Sequence, residues 1–277
     1  MTAVYKGISR TELDAAYNNS LAVANSTELM AGFDELSAQT RRMPGARIGL
    51  RYGPKPRSLI DYFPAAHPGP VVVFIHGGYW QARAKENFSF LANGLMAHGL
   101  HVAMVGYTLA PDASLAQIVE EVRTSIDWLA AHAAGFGGDA QRMVVSGWSA
   151  GGHLTAMCMA HPDVHPGVVG GLAISGIYDL EPVRLSYLND KLALAADDVK
   201  LLSPIMLPLS PKPMVIAYGA SELPELQAQS QAFFAARQVA GLPGELLALT
   251  GLNHFTILPE MAHAGGALAV AAKQLAG

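Results

Sequence analysis

The stretch from Met143 to Gly152, MVVSGWSAGG, decides how the rest of the chain is interpreted. It begins as a short apolar strand and continues, from Ala150 onward, with residues typical of a helix. Between the two, Gly147–Gly151 matches the pattern G-x-S-x-G, in which a serine occupies a sharp turn from strand to helix. Glycines flank such a serine because the turn brings neighbouring backbone too close for side chains. The stretch therefore predicts a reactive hydroxyl on Ser149, although a chain with 28 glycines also forms such turns by chance.

A second glycine motif, HGGYW at His76–Trp80, lies upstream and directly follows the apolar run VVVFI. That run is typical of a buried parallel strand. Two successive glycines let backbone N–H groups face a substrate oxygen that becomes negative during a reaction. We therefore expect the N–H groups of Gly77, Gly78 and Ala150 to surround one oxygen atom. A glycine turn beside a core histidine is the alternative, but it does not explain the order of the two motifs or the strand before each.

Strands and helices alternate along the remainder of the chain. Strands are predicted at ARIGLRYG, RSLIDYFP, HVAMVGY, VVGGLAIS, MVIAYG and ELLALT, with helical segments between most of them. Among the predicted helices are Ala84–His98 and a terminal helix over Met261–Ala276. In SLAQIVEEVRTSIDWLAAHAA, one helical face is predicted to carry Leu115, Ile118, Val119, Val122, Ile126 and Leu129. This alternation predicts the α/β class, with a mostly parallel sheet covered by helices on both faces. The first two strands can supply an antiparallel edge.

The chain is predicted to form a single domain over residues 1–277, with two additions. Residues 1–45 contain an N-terminal helical segment, in which Leu29, Met30, Phe33 and Leu36 have helical spacing. Residues from about 180 to 212 interrupt the alternation with a leucine-rich stretch. Because open α/β sheets bind ligands at the carboxyl ends of their strands, an insertion there is expected to act as a cap.

Composition excludes several classes of protein. The 277 residues are 51% hydrophobic and 14% charged, against about 25% charged in ordinary soluble domains, so the chain is not disordered. The net charge of -4 and the lack of basic runs argue against a nucleic-acid partner. The apolar runs are too short to cross a membrane.

A cytoplasmic location is the expectation that follows from two further features. The opening residues lack the pattern of a secretory signal, and the single cysteine, Cys158, excludes intrachain disulfides. Cys158 lies in an apolar run and is expected to be a core thiol. The apolar surplus is also compatible with a homodimer interface.

A nucleophilic serine needs a general base, and His254 is the best placed of ten histidines. It directly follows the strand ELLALT, so its ring can reach the sheet edge where Ser149 is expected. His76 belongs to the glycine motif, His153 is too close to Ser149 in the chain, and His263 lies in a predicted terminal helix.

His161 and His165 have the spacing of metal ligands around Asp163. Pro162 and Pro166 interrupt any helix that would align them, so a surface turn is the preferred interpretation and no metal site is predicted.

Two acidic residues compete to orient the histidine. Glu222 follows the strand MVIAYG, and Asp179 follows the strand VVGGLAIS. A carboxylate in either place would accept the second N–H of the imidazole and stabilise its cation. Glu222 is preferred, because Asp179 is also well suited to capping the turn that follows it.

With these residues assigned, the chain resembles the α/β-hydrolases, and among them the kynurenine formamidase (arylformamidase) group, relatives of the hormone-sensitive-lipase-like esterases. The resemblance covers most of the chain and rests on HGGYW, GWSAGGHL, SGIYDLEP, ELPE before QS, NHF, and the Tyr107 and Pro111 of GYTLAP. It implies a catalytic triad of Ser149, Glu222 and His254. It also implies an oxyanion hole built from Gly77, Gly78 and Ala150.

The chain departs from that group at two positions. Glu222 stands where aspartate is common, and Trp148 stands where histidine often precedes the serine. Glutamate is an accepted triad acid, so the departures bear on the substrate more than on activity. The large indole of Trp148, beside the nucleophile, is expected to narrow or reshape the acyl pocket. Tyr79 and Trp80 occupy the place of the third glycine of lipase-like enzymes, which favours a formamidase.

The resemblance implies a serine hydrolase that cleaves an aryl formamide, or a related N-acyl aromatic amine, through an acyl-enzyme. Its partner would be a small-molecule acyl amide or ester, with no cofactor and no metal. Five aromatic residues could either form a slot for an aryl group or pack in the core: Tyr79, Trp80, Trp148, Tyr178 and Phe255.

Three other functions use the same residues or the same fold. A carboxylesterase acting on small or aryl esters shares every catalytic residue. A carbon-carbon bond hydrolase or transacylase would use the same serine with another leaving group or acceptor. A non-catalytic binding protein with the same fold is the last alternative, and it fits least well because all three triad positions are occupied.

Overall fold

An eight-stranded, mostly parallel sheet forms the centre of the structure, a computed structural model that describes residues 3–160 and 164–277. The strands are β1 (Ala3–Tyr5), β2 (Ile8–Ser9), β3 (Arg47–Arg51), β4 (Leu59–Phe63), β5 (Gly69–Ile75), β6 (His101–Val105), β7 (Gly138–Trp148), β8 (Val168–Ile174), β9 (Met214–Gly219) and β10 (Gly244–Leu249). The main sheet has the order β10-β9-β8-β7-β5-β6-β4-β3, and β1 pairs with β2 in a separate ribbon. Only the pairings of β3 with β4 and of β4 with β6 are antiparallel in the main sheet. The predicted α/β class and its antiparallel edge are confirmed.

Helices cover both faces of this sheet. They are α1 (Arg10–Ala16), α2 (Asn19–Ala22), α3 (Ser26–Thr40), α4 (Ala92–Ala97), α5 (Leu115–His132), α6 (Ala150–Ala160), α7 (Glu181–Arg184), α8 (Asn189–Leu192), α9 (Ala196–Leu202), α10 (Pro224–Val239), α11 (Pro259–Ala262) and α12 (Ala267–Ala276). Short 3-10 helices span Lys85–Leu91, Ala133–Phe136 and Pro204–Met206. Within the two described ranges, no helix is both long enough and apolar enough to span a membrane.

Alternate residues of β5 show how the two faces are filled. Val71, Val73 and Ile75 belong to one buried cluster, with residues of α5, α6 and α10. Val72 and Phe74 belong to a second cluster, with residues of α4, α11 and α12. Because a strand is buried on both faces, it is apolar throughout, as the run VVVFI predicted. Each fully buried aliphatic or aromatic side chain contributes about 1.5–3 kcal/mol to folding.

Helix α5 illustrates how local sequence sets an element. Ser114 caps its first turn, since the Ser114 hydroxyl accepts from the Gln117 N–H and the Gln117 side chain accepts from the Ser114 N–H. Its apolar stripe faces the sheet and is buried at Leu115, Ile118, Val119, Val122, Ile126 and Leu129. The helical face predicted from sequence is therefore confirmed.

The predicted N-terminal helices are present as α1, α2 and α3. Met30 and Phe33 are buried, whereas Leu36 is 47% exposed and lies outside the buried face. A buried ion pair anchors the segment, because Arg41 at the end of α3 lies 3.3 Å from the Asp61 carboxylate on β4. Lys85 donates to the same carboxylate at 2.8 Å. The N-terminal segment is thus fixed to the sheet.

Two predicted helices have a different form. The helix expected from Ala84 to His98 begins as the 3-10 helix Lys85–Leu91 and becomes α-helical only in α4. The helix expected from Met261 to Ala276 is wrong as a single element, because the chain leaves α11 at His263 and re-enters a helix at Ala267. Gly265 and Gly266 lie in this break, and glycine disfavours helix interiors.

The strand register brings the candidate residues to one edge. Ile75 lies opposite Gly147, Trp148 opposite Ile174, Ile174 opposite Ala217, and Gly219 opposite Leu249. The carboxyl ends of β5, β7, β8, β9 and β10 therefore lie side by side. The loops that follow them carry all the candidate catalytic residues.

Candidate active site

Ser149 occupies the turn between β7 and α6, as the G-x-S-x-G pattern predicted. Its φ of 58° lies in the left-handed region, which is strained for a residue with a side chain. Its N–H donates to the carbonyl of Ile174 at 2.8 Å, which ties the turn to β8. A Cβ on Gly151 would lie 2.0 Å from the carbonyl oxygen of Ile75, so glycine is required at that position. Packing against β5 and β8 holds the serine in this conformation.

The loop after β5 lies directly against the serine. A Cβ added to Gly77 would lie 3.0 Å from the Cβ of Ser149 and 2.6 Å from the ring of Trp148. The Gly77 backbone can approach the serine this closely only because it has no side chain. Ala150 begins α6 immediately after Ser149. The structure therefore brings Gly77 and Ala150 to Ser149, with Gly78 next along the loop.

The buried ring of His76 holds the loop after β5 through the carbonyl of Gly77. Its Nδ1 lies 2.8 Å from the carbonyl oxygen of Gly77, and its ring stacks on Tyr107 with centroids 4.2 Å apart. Burial lowers the pKa of His76 to about 3, so the ring is neutral and Nδ1 carries the hydrogen that the carbonyl accepts. Because the peptide is planar and trans, the N–H of Gly78 points away from that carbonyl. Tyr107 also donates its hydroxyl hydrogen to the carbonyl of His76 at 2.9 Å.

Glu222 and His254 form a buried hydrogen-bonded pair. The His254 Nδ1 lies 3.0 Å from Glu222 Oε2, and the side chains are 4% and 0% exposed. Since a carboxylate accepts, Nδ1 donates and Nε2 remains available to take a proton. Glu222 Oε1 accepts from the Ser175 hydroxyl at 2.6 Å and from the Gly219 N–H at 2.7 Å. Three donors thus satisfy a carboxylate that would otherwise be costly to bury.

Asp179, the competing acid, serves another purpose. Its Oδ1 accepts from the Glu181 N–H at 2.9 Å, at the start of α7. Its own N–H donates to the side-chain oxygen of Gln229 at 2.8 Å. These are the contacts of a residue that caps a turn, and they favour Glu222 as the partner of His254.

Trp148 contacts the histidine through its indole ring. Its indole N–H donates to the carbonyl of His254 at 2.8 Å, and the two rings lie 4.8 Å apart. Phe255 packs on the same indole at 5.8 Å. Trp148 and Phe255 are each 3% exposed. Both side chains are therefore packed against the loop that carries His254.

The other three aromatic candidates lie in different surroundings. Trp80 is fully buried and meets His153 edge-on at 4.9 Å. Tyr178 is fully buried and stacks on Phe233 at 4.3 Å. Tyr79 is partly buried and faces the N-terminal segment. An aryl slot built from all five residues stays a prediction.

The N-terminal segment lies across the site. A cavity of about 140 Å³ beside Glu222 and His254 is lined by Asn19, Ala22, Val23, Ser221, Glu222, Leu223, Pro224, Asn253 and His254. Tyr79, next to Gly78, donates its hydroxyl hydrogen to the carbonyl of Tyr17 at 2.6 Å and accepts from Asn19 at 3.2 Å. Asn19, Ala22 and Val23 therefore line a cavity together with Glu222 and His254, while Tyr17 and Asn19 bond the Tyr79 hydroxyl; we call residues 17–23 the N-terminal roof.

The predicted cap segment contacts the loop after β5 and helix α6. Gln81 donates to the carbonyl of Leu188 at 2.7 Å, and the His153 ring lies 2.8 Å from the carbonyl of Leu202. The N–H of Tyr187 donates to Asp14 in α1 at 2.8 Å. The segment from α7 to α9 thus contacts both the candidate site and the N-terminal helices.

Sequence reasoning missed two contributors to this site. Ser175 follows β8 at the same edge as Ser149, and that position was a usable signal. Asn19 comes from α2, and nothing in its local sequence indicated a place beside His254. A separate cavity of about 410 Å³, between α5 and the connection from β3 to β4, is lined by no candidate site residue.

The remaining predictions concern metals and the cysteine. Of the residues with metal-like spacing, His161 and Asp163 lie outside the described part of the chain. The described residues contain no cluster of three or more histidine, cysteine, aspartate or glutamate side chains that could hold a metal ion. Cys158 is buried in α6, and burial raises the pKa of its thiol to about 12, as expected for a core thiol.

Comparison with known proteins places the chain in a class and then in a family. Residues 62–165 match the BD-FAE family. A crystal structure of a proposed thioesterase from Silicibacter sp. TM1040 superposes with a TM-score of 0.85 at 27% identity, covering 94% of this chain and 98% of that one. The fold and the comparisons define an α/β-hydrolase, and the chain is a hydrolase.

Two curated relatives narrow this class. A kynurenine formamidase from Danio rerio is 28% identical over 93% of both chains. A kynurenine formamidase from Salmo salar is 32% identical over 69% of this chain and 68% of its own length. The chain therefore belongs to the kynurenine formamidase family, and the resemblance predicted from its motifs is confirmed.

Proposed function

We propose that Ser149, Glu222 and His254 are the catalytic triad of this hydrolase, and that the N–H groups of Gly77, Gly78 and Ala150 form its oxyanion hole. The observation that carries the proposal is the buried hydrogen bond between His254 Nδ1 and Glu222 Oε2, located at the sheet edge that holds Ser149. It leaves the second imidazole nitrogen free to serve as a base. No other described histidine at this edge has a carboxylate partner.

The first half of the reaction acylates the serine. The Ser149 oxygen attacks the carbonyl carbon of the substrate, and its proton passes to Nε2 of His254. The carbonyl oxygen takes up the negative charge and is stabilised by the backbone N–H groups, each worth about 2.7–4 kcal/mol in related sites. His254 then returns the proton to the leaving nitrogen. The carbon–nitrogen bond breaks and an amine departs.

The second half releases the acyl group. A water molecule gives a proton to His254 and attacks the acyl carbon, which re-forms the oxyanion. The ester bond to Ser149 breaks, and the imidazolium returns its proton to the serine oxygen. Formic acid is the second product when the acyl group is formyl.

We propose an aryl formamide as the substrate class. The family relatives named kynurenine formamidase support it. The surroundings of the serine support it as well, because Ser149 is 3% exposed and the Gly77 backbone lies directly against it. Such a site favours an acyl carbon that carries only hydrogen. An aniline is also a better leaving group than an alkyl amine.

Acyl and leaving-group series test this proposal. We expect kcat/KM for N-formylkynurenine and formanilide to exceed that for acetanilide by more than about tenfold, since one methylene in a tight pocket costs about 1–3 kcal/mol. The control is Ser149→Ala, which should cleave none of them. Rapid cleavage of p-nitrophenyl acetate without any anilide hydrolysis would instead identify a carboxylesterase.

A homodimer and a cytoplasmic location are proposals of the same kind. Leu201 in α9 and Met206 in the 3-10 helix that follows it are 66% and 52% exposed, which supports a contact surface there. Size-exclusion chromatography with light scattering distinguishes a monomer from a dimer, and Leu201→Asp should weaken a dimer that uses this surface.

A further inference from the structure

The turn after β8 holds a buried serine in a strained conformation. Ser175 is fully buried and has a φ of 51°, in the left-handed region that is unfavourable for a residue with a side chain. Its N–H donates to the carbonyl of Ala217 in β9 at 2.7 Å, which ties the turn to the neighbouring strand. Strain of this kind persists only where surrounding contacts hold it, and it directs attention to what the side chain does.

The Ser175 hydroxyl holds one oxygen of the Glu222 carboxylate. It donates to Oε1 at 2.6 Å, and the Gly219 N–H donates to the same oxygen at 2.7 Å. The other oxygen, Oε2, lies 3.0 Å from His254 Nδ1. The terminal torsion of a glutamate is broad, so its carboxylate turns easily unless contacts fix it. Two donors on Oε1 therefore keep Oε2 facing the imidazole.

The same turn is also connected to the nucleophile. The carbonyl of Ile174, the residue before Ser175, accepts from the Ser149 N–H at 2.8 Å. A Cβ on Gly152 in α6 would lie 2.9 Å from that carbonyl oxygen and 2.8 Å from the Cα of Gly176. Helix α6, which begins directly after Ser149, therefore lies against this turn. Two successive residues thus contact the backbone of the nucleophile and the carboxylate of the acid.

We propose that Ser175 is a positioning residue of the triad, whose hydroxyl fixes the Glu222 carboxylate so that Oε2 stays within hydrogen-bond distance of His254 Nδ1. The proposal rests on the proposed function, because it needs Glu222 and His254 to be members of the triad. It holds for amide and ester substrates alike, since Ser175 acts through Glu222 and not on the substrate.

The role matters most while His254 is charged. The imidazolium formed during acylation is stabilised by the carboxylate that accepts its Nδ1–H. Without the Ser175 hydroxyl, Glu222 can turn about its terminal bond and the imidazole loses its orientation. A displacement of about 1 Å near reacting groups can cost about 10²-fold in rate. Substrate binding does not use the bond between His254 and Glu222, so kcat should fall and KM should not change.

Two variants remove the hydroxyl and differ in their effect on the backbone. Ser175→Gly fits a φ of 51°, whereas Ser175→Ala keeps the strain. We expect each to lower kcat by about tenfold on formanilide and on p-nitrophenyl acetate, with KM within about twofold. The loss is smaller than for Glu222→Ala, because the Gly219 N–H still holds Oε1. An unchanged kcat in Ser175→Gly would overturn the proposal.

A double-mutant cycle shows whether Ser175 acts through Glu222. The variant Glu222→Ala has no carboxylate to hold, so adding Ser175→Gly to it should lower kcat by less than about twofold. A purely structural role for Ser175 would give the same loss in both backgrounds. A loss of about tenfold in each background would therefore overturn the proposal, even though the single variant is impaired.

Ser125→Ala is the matched control for the loss of a buried hydroxyl. The Ser125 hydroxyl donates to the carbonyl of Val122 at 2.6 Å, and the residue is fully buried in α5, which carries no candidate catalytic residue. Its loss should lower the midpoint of urea unfolding and leave kcat and KM unchanged. If Ser125→Ala lowers kcat as much as Ser175→Ala does, the effect is a general one and the proposal is wrong.

Failure of the proposed triad gives a different result from failure of this proposal. If Glu222→Ala keeps the full kcat, Glu222 is not the triad acid, and both proposals are wrong. If Glu222→Ala loses about 10²-fold or more while Ser175→Gly remains fully active, the triad stands and only the role of Ser175 is refuted.

Discussion

The sheet edge that carries the proposed triad and the N-terminal roof beside it are assembled in different ways. At the edge, Ser149, Glu222 and His254 each follow a strand within a few residues, and the register of these parallel strands puts all three loops at the same edge. At the roof, Asn19 meets Tyr79 across 60 residues of chain, and Tyr17 meets Gln229 across 212. Strand register therefore positions the proposed triad, whereas long-range tertiary contacts position the N-terminal residues next to it.

The largest effect is expected when each of the two acids at the edge is replaced by alanine and the variants are compared. Glu222→Ala should lower kcat by about 10²–10⁴-fold, because His254 loses the carboxylate that orients it and stabilises its cation. Asp179→Ala, which removes a turn cap, should change kcat by less than about tenfold. Steady-state kinetics on formanilide and on p-nitrophenyl acetate measure both variants. Should Asp179→Ala be the inactive one, the assignment of the acid is wrong.

A smaller effect is expected from removing the hydrogen bonds between Tyr79 and the N-terminal roof. Tyr79→Phe removes the hydroxyl that bonds Tyr17 and Asn19, and Tyr79 has a strained φ of 49° next to Gly78. We expect kcat/KM to fall by about tenfold for amides and esters alike, since a misplaced oxyanion donor affects both.

Tyr52→Phe is the matched control for that variant. The Tyr52 hydroxyl also donates to a carbonyl, that of Gly106, at 2.6 Å in a buried site. Its loss should cost about the same stability, roughly 1 kcal/mol in urea unfolding, with kcat/KM unchanged. If the two variants lose equal activity, the roof has no special influence on the oxyanion loop.

The edge was largely predictable from sequence, and the reason lies in Ser149 and His254. Each follows an apolar strand whose end is marked by glycine or by a turn residue, and parallel strands end at one edge. The preference for Glu222 over Asp179 could also be stated, but not decided, because both follow strands. Only the hydrogen bonds of the two carboxylates separate them.

The roof was not predictable in this way. The sequence around Asn19 indicates a short helix with a polar start, which would be equally suited to an exposed surface. Trp148 was expected to reshape an acyl pocket, yet its indole N–H bonds the His254 carbonyl. In both cases the outcome depends on which distant residue packs against the side chain, and local pattern carries no information about that.

Stability at acid pH, as distinct from activity, should depend on two buried histidines near this edge. Burial lowers the pKa of His76 to about 3 and that of His153 to about 4, against about 6.5 in an unfolded chain. Below pH 6.5 the unfolded state takes up protons that the folded state refuses. The free energy of unfolding should therefore fall by about 1 kcal/mol per pH unit for each histidine, down to the folded pKa.

Urea unfolding at pH 7, 6 and 5 measures this slope. His153→Gln keeps a side-chain donor for the Leu202 carbonyl but cannot titrate, so it should lower the slope between pH 6 and 5 by about 1 kcal/mol per pH unit. A slope unchanged in His153→Gln would mean that His153 is protonated as readily in the folded state as in the unfolded one.

The central claim is that Ser149 is the nucleophile of an acyl-enzyme mechanism, and trapping the intermediate tests it most directly. Rapid quenching during p-nitrophenyl acetate turnover, followed by mass spectrometry of the peptides, should find the acetyl group on the peptide that contains Ser149. The burst of p-nitrophenol should match the enzyme concentration and disappear in Ser149→Ala. An acyl group on another residue, or a burst that survives Ser149→Ala, would contradict the account.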